Sequence, residues 1–469
     1  MQFDSFTFIL FFAAALAVYN LLPAWNARKW FLLGASYVFY AAWNPLFLPL
    51  LLGSTTLDWW IAQRIDAAQD PRARKGWATL TLLVNLGVLG VFKYNRFLID
   101  NLAALLAGIG VHYVPPAFDI VLPIGISFYT FHSLSYCLDI YRRKFAPTRS
   151  WRDYALYVGF FPQLVAGPIT RFPLMRPQIE TPRATTRDGL GLGCALLVLG
   201  LFEKIVLADS VFAPVADEFF GAASAAGAAA AWSGVAAFSG QIFCDFAGYS
   251  TCAIGTALAF GFELPTNFRY PYAAVGFSDF WRRWHISLST WLRDYLYVSL
   301  GGNRRGELRT YANLMLTMLI GGLWHGAAWT FVIWGGTHGL FLAVERWVRT
   351  HVLPAQWKPG GVLRFAYGLF TLLLVMLAWV WFRAPDFATG LGVFHSLLTF
   401  SAATVSGAQK LALLAFAGVV GAHWIMRERD LRELASRAPA PVLGLVLGCL
   451  LALIVLSPGD NHAFIYFQF

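Results

Sequence analysis

The chain has 469 residues, of which 58% are hydrophobic and only 13% are Asp, Glu, Lys or Arg. A soluble domain carries about 25% charged residues, so this chain lacks the polar surface to remain in water, and the soluble enzyme classes are excluded. The net charge of +10 does not point to nucleic acid, because the basic residues fall in short clusters between apolar stretches (Arg28/Lys29, Arg72/Arg74/Lys75, Arg142/Arg143/Lys144 and 427–437), as cytoplasmic loops of a membrane protein do.

Apolar stretches able to cross a hydrocarbon layer of about 30 Å recur at 6–22, 30–52, 77–92, 118–138, 151–165, 190–211, 228–262, 315–333, 340–348 with its preceding turn, 363–381, 411–425 and 442–456. Merging and splitting these gives ten to twelve crossings. Lipid offers no hydrogen bonds to the backbone, so the crossings are helices. The expectation is an all-α polytopic membrane protein whose residues 1–469 form a single transmembrane domain. The first stretch has no basic flank and no small-residue cleavage site, and reads as a retained helix. The clusters at Arg28 and Arg72 both ask to be cytoplasmic, although 30–52 looks like one crossing. A break at Asn44 and Pro45 would resolve this, since proline disfavours a helical residue before it.

The longest polar connection, 171–187, is only a loop, and alanine-rich 222–231 reads as a loop leading into a helix. Cys137, Cys194, Cys244, Cys252 and Cys449 lie in apolar segments without CxxC spacing, and read as small core residues. No internal repeat is visible, which weighs against a secondary transporter.

Residues 265–309 are too charged to span lipid and too aromatic for an idle loop. From Asp279 onward Trp284, Leu288, Trp291 and Tyr295 repeat at spacings of four, three and four, with Arg283 and Arg293 off the stripe. This predicts an amphipathic or re-entrant helix ending at Gly301 and Gly302. Next comes GGLWHGAAWTF at 321–331. Between Arg309 and Glu345 the only charged or imidazole side chains are His325 and His338. His325 lies about fifteen residues past the last charge, roughly 20 Å along a helix. A polar group that deep usually faces the bundle interior or a water-filled cavity. The plain alternative is a neutral histidine bonded between helices. Glycines 321, 322 and 326 would admit a close neighbour or ligand, and Trp324 and Trp329 would wall a pocket. His285, in WRRWH, is the second candidate; His338, in WGGTHG, reads as a helix-packing residue. His112, His351, His395, His423 and His462 sit near loops or span ends and receive no role.

No GxSxG, HExxH, CxxC, GxGxxG or P-loop pattern is present, so no metal site or serine nucleophile is expected. A buried histidine, a second on a basic helix and no nucleophile suit direct transfer, in which histidine takes the proton of a hydroxyl that attacks an activated acyl group. Such a base needs its neutral form, so transfer should fall at acidic pH. Arg282, Arg283, Arg304 and Arg305 would receive the phosphates of an acyl carrier, or simply snorkel at the interface. Asp245 would line a cavity or make a helix–helix hydrogen bond.

The ordered motifs FKYNRF (92–97), LPIGISFYTFHSLSYCLDIYR (122–142), FFPQLVAGPITR (160–171), QIFCDFAGYSTCAIG (241–255), NFRYPY, FWRRWHISLSTWLRDYLYVSLGGNR, GGLWHGAAWTFVIWGGTHG and terminal FIYFQF cover nearly the whole chain. By these it resembles the membrane-bound O-acyltransferase (MBOAT) family, in the bacterial branch of the alginate O-acetyltransferase membrane subunit. The resemblance implies helices around a central tunnel, with 265–309 in the catalytic core, in a multi-pass protein of the bacterial inner membrane. It implies His325 as catalytic base and His285 as its assistant. Donor or substrate contacts would come from Trp281, Arg282, Arg283, Trp284, Trp324, Asp245, Asn303 and Arg304. It further implies acetyl-CoA as donor, no bound cofactor, and O-acetylation of an exported polysaccharide such as alginate or cellulose, directly or through a periplasmic SGNH-type partner and the export machinery. The alternatives are D-alanyl or other acyl transfer from a carrier protein to a cell-wall polymer, or a transporter or flippase for a lipid-linked sugar or small anion.

Overall fold

Asp70 and Pro71 illustrate how the sequence starts its helices. The Asp70 carboxylate accepts the backbone N–H groups of Arg72 and Ala73, donors that a first turn leaves open, and proline has no N–H to leave unmet there. The Pro71–Leu89 helix continues through a π-type turn to Gly108. Ser5 and Ser150 cap Phe6–Leu21 and Trp151–Gly159 by the same means.

The computed structural model describes residues 1–114, 120–221, 227–354, 356–400, 404–457 and 464–465; all regular elements among them are helical. Parts of the predicted 118–138 and 222–231 segments, His462 and the last four residues of FIYFQF lie outside the described residues. By internal contacts the chain forms two units, Met1–Cys194 with Ala253–Pro265, and Ala195–Cys252 with Thr266–Phe469.

In the first unit the predicted break is present. Trp25–Ala41 stops before Asn44, whose side chain accepts the Leu46 N–H, and Leu48–Ala67 follows after one turn. Lys29 departs from the loop-charge reading: it is buried and paired with Asp153 at 2.9 Å. A second buried acid, Asp58, accepts from Thr81 Oγ1 at 2.6 Å and Asn85 Nδ2 at 2.9 Å. Phe8, Phe39, Phe161 and Phe260 are buried and contact one another in series.

In the second unit small residues set the spacing. A Cβ on Gly200 would lie 2.5 Å from the Gly248 carbonyl oxygen, and one on Gly248 2.6 Å from that of Gly200. The helices meeting there carry Lys204 and Asp245. Glu307–His325 and Trp329–His351 form a hairpin of the same kind, with Gly322 against Phe331 and Gly335, and Gly335 against Met318. Gly326 is covered by the Phe331 ring, so Gly322 and Gly326 serve this chain's own packing. Gly322→Ala is expected to cost about 1–3 kcal/mol, as overpacking does, read as a lower unfolding midpoint in detergent. An unchanged midpoint would mean the hairpin tolerates a wider spacing.

Several predicted features differ, among them the 171–187 loop, which contains the helix Phe172–Glu180. The 315–333 stretch is not one helix: it ends at His325 and restarts at Trp329, so the turn falls at 326–328 and not before residue 340. The helix expected from Asp279 onward is broken into Phe277–Trp281, Ile286–Trp291 and a π-type turn to Tyr297, because His285 adopts a left-handed backbone. Its stripe is nonetheless right, with Trp284, Leu288, Trp291 and Tyr295 all buried; Arg283 is buried as well. Finally, Cys194 and Cys449 are exposed, while Cys137, Cys244 and Cys252 are buried. Residues 151–165 are likewise divided near Phe160. Among the described residues five helical segments are both long and apolar enough to cross a membrane: Pro71–Gly108, Arg187–Gly221, Ala228–Ala259, Gly361–Arg383 and Gly407–Met426. Phe6–Leu21, Phe387–Leu398 and Ala440–Leu456 are shorter apolar helices.

Candidate active site

His285 and His325 reach one another within the second unit from separate elements. His325 is the last residue of its helix, and Gly326 after it is extended. His285 precedes Ile286–Trp291 with φ 41° and ψ 55°. A left-handed histidine costs about 1–2 kcal/mol, and Asn267 offsets that cost. The Asn267 carbonyl accepts the Ile286 N–H at 2.8 Å, and its Oδ1 accepts the Ser287 hydroxyl at 2.9 Å and the Ser287 N–H at 3.4 Å. The ring centroids of the two histidines are 6.5 Å apart. Both side chains are buried, at 0% and 4% exposure for His285 and His325, which keeps bulk water from the pair.

The hydrogen bonds fix the proton on His285. A backbone N–H only donates, so the Asn267 atom facing Ser287 is the oxygen. That oxygen lies 3.0 Å from His285 Nδ1, which therefore carries the hydrogen. The Asn267 amide in turn donates to Ser250 Oγ at 3.0 Å. His285 Nε2 is left as a lone-pair acceptor with no hydrogen-bond partner among the described residues. Asn267→Leu removes the group that selects this tautomer. Losing one buried hydrogen bond costs about 1–3 kcal/mol, so a fall in turnover of about 5- to 150-fold is expected, measured beside an unfolding midpoint. Full activity would show that the tautomer does not matter.

The walls are aromatic. Trp324, Trp334 and Phe382 stand 4.9, 5.0 and 5.4 Å from the His325 ring. Phe246 meets His285 edge-on at 4.7 Å, and Trp324 lies 6.2 Å from it. Such a set can hold a neutral imidazole in a dry environment beside a second hydrogen-bond acceptor, the arrangement that proton abstraction from a hydroxyl needs.

The other predicted residues separate by position. Trp324 belongs to the wall, and Trp281 stacks edgewise near Trp334 and His338 at 5.9 and 5.1 Å. Trp284 is wholly buried between Phe268 and Trp379. Arg283 is tied to Asp279 at 3.0 Å and to the carbonyls of Arg269 and Arg427. Asp245 pairs with Lys204 at 2.7 Å and accepts the Ile465 N–H at 2.7 Å. Arg282, Asn303 and Arg304 are exposed. Asn303 and Arg304 precede the 19-residue Glu307–His325 helix, so about 27 Å of helix separates its start from the histidine. Sequence reasoning missed Asn267 and Ser250. The signal was available in principle, because a buried histidine needs a partner for its N–H.

The family model described as "MBOAT, membrane-bound O-acyltransferase family" matches residues 148–383, which include both histidines. A protein described as "Probable alginate O-acetylase AlgI" from Azotobacter vinelandii is 45% identical over 415 residues, covering 88% of this chain and 81% of the relative. The protein of the same description from Pseudomonas aeruginosa is 40% identical over 448 residues, covering 94% and 84%. A peptidoglycan O-acetyltransferase from Helicobacter pylori is 37% identical over 397 residues, covering 79% and 73%.

Proposed function

The chain belongs to the membrane-bound O-acyltransferase family, and on that premise we propose that it O-acetylates an exported polysaccharide, with His325 as general base and His285 as the group that holds the reacting hydroxyl. It is a membrane protein and an O-acyltransferase. The observation that carries the residue assignment is the meeting of His285 and His325 at 6.5 Å, with His285 Nε2 having no hydrogen-bond partner among the described residues. The relatives named for alginate and peptidoglycan acetylation support the acetyl group and the glycan acceptor.

In this reading neutral His325 takes the proton from an acceptor hydroxyl as its oxygen attacks the acetyl carbonyl. The new C–O bond forms, the thioester C–S bond breaks, and the proton passes to the leaving thiolate. The hydroxyl belongs to the glycan or to a periplasmic SGNH-type partner that hands the acetyl group on to it. Acetyl-CoA is the donor, approaching from the cytoplasmic face of a multi-pass bacterial inner-membrane protein. Its ten to twelve crossings surround a tunnel through which the acetyl group passes. Exposed Arg282, Asn303 and Arg304 suit early contact with the donor's phosphates, and Trp281 and Trp324 suit its apolar arm. Arg283, Trp284 and Asp245 shape the same region through their buried partners.

The test is turnover of radiolabelled acetyl-CoA by the purified chain in lipid nanodiscs, alone and with a candidate partner and polysaccharide. Labelled glycan is the expected product. Label released only from an acyl carrier protein, with acetyl-CoA inert, would overturn the donor assignment.

A further inference from the structure

His338 lies one helical turn beyond Trp334 on Trp329–His351 and has no exposed surface. Its ring is enclosed by Phe280, Trp281, Trp334 and Phe341, at 5.8, 5.1, 5.0 and 5.8 Å between centroids. Neither ring nitrogen has a hydrogen-bond partner among the described residues, and the same is true of the indole nitrogens of Trp281 and Trp334. A buried polar group left in that state costs about 1–3 kcal/mol. Three such side chains in mutual contact are a poor solution if packing is the only task, since phenylalanine at position 338 would fill the imidazole's space without its share of the cost.

The chemistry of the three groups is one-sided. An indole N–H only donates, whereas a neutral imidazole donates through one nitrogen and accepts through the other. The cluster thus offers three donors for one acceptor, which suits an uncharged oxygen and repels a cation. Its location ties it to the reaction, because the Trp334 ring touches His325 and His338 alike, at 5.0 Å from each.

We propose that His338, with the indole N–H groups of Trp281 and Trp334, forms a polar subsite that binds a carbonyl oxygen of the thioester donor, either of its acetyl group or of an amide in its arm. The proposal rests on the acetyl-transfer reading above. His338 is then a substrate-binding residue beside the base, and the aromatic ring set around it keeps the bound carbonyl dry.

The experiment uses the full chain in nanodiscs as wild type, His338→Phe and His338→Gln. Unfolding midpoints are taken with and without acetyl-CoA, and steady-state turnover is measured beside them. Without donor, His338→Phe is expected to unfold at or above the wild-type temperature, because it removes unmet polar atoms. It should lose the upward shift that acetyl-CoA gives the wild type, and its KM should rise at least tenfold. His338→Gln, which keeps a donor and an acceptor, should recover part of both. A donor-free midpoint for His338→Phe clearly below wild type would overturn the proposal in favour of packing. So would an unchanged acetyl-CoA shift and KM. A fall in kcat at constant KM would overturn binding at this position and leave a positioning role through Trp334. A wild type that neither shifts with acetyl-CoA nor turns it over would sink the donor assignment instead, and the donor-free midpoints would still decide between a polar cage and a packed one.

Discussion

His325→Ala is expected to abolish acetyl transfer while leaving the protein inserted and folded. A positioned general base contributes about 10²–10⁴-fold, and the sequence offers no nucleophile motif that would carry the reaction by another route. The His325 ring packs against Trp324, Trp334 and Phe382, so truncation removes packing as well as the base. The assay therefore needs an unfolding midpoint beside the rate. A variant that folds and retains more than a tenth of wild-type acetyl-CoA turnover would end the assignment of His325 as base. The pH dependence follows with a definite sign: only the neutral imidazole accepts a proton, so the wild-type rate falls as pH drops, and the residual rate of the alanine variant should not follow it. A wild-type rate that is flat down to about pH 5 would count against a histidine base. His285→Ala should leave a slower enzyme with the same acid limb, since in this assignment His285 accepts a hydrogen bond and does not abstract the proton.

The helical class and the burial of His325 were legible because hydropathy and isolated polarity are local properties, whereas His285, beside Arg282 and Arg283, was singled out only by the family motif around it. The break at Asn44 was legible as well, because a charge pattern and a proline agreed on it. Where the helices stop inside apolar runs was not legible. The division at 326–328 depends on Gly326 yielding to the Phe331 ring, and His285 breaks its helix because Asn267, eighteen residues earlier, takes the next N–H groups. Both causes are tertiary. Arg283 misled for a related reason. Its place off the apolar stripe suggested a solvated charge, whereas Asp279 neutralises it and two carbonyls accept its N–H groups in a buried position. Polarity at a helix face reports the neighbour it meets, and periodicity does not reveal that neighbour.

Lys204→Met is expected to cost about 3–5 kcal/mol, the range for stripping one partner from a buried ion pair. The Lys204 ammonium lies 2.8 Å from Asp209 and 2.7 Å from Asp245, with all three side chains at 5% exposure or less. The π-type stretch Phe202–Phe212 makes this possible. Its i to i+5 bonding stacks residues five apart, so Lys204 and Asp209 share a side that an ordinary helix would divide. Asp245 passes the effect toward the candidate active site. It holds the Ile465 N–H, while Phe246 beside it touches both Phe464 and His285, and Ser250 one turn on supports Asn267. Methionine preserves most of the lysine volume and removes only the charge, so the loss reports two carboxylates stranded in a dry interior. Adding Asp209→Asn and Asp245→Asn to the same chain should return much of the stability, because a neutral set of similar size carries no such penalty. An unfolding midpoint for Lys204→Met equal to wild type would mean the carboxylates are already neutral and the pair contributes nothing. If the triple variant regains the wild-type midpoint but stays slow, the charges act by holding the Asp245 face of the long helix against His285, and stability and turnover separate at this one lysine.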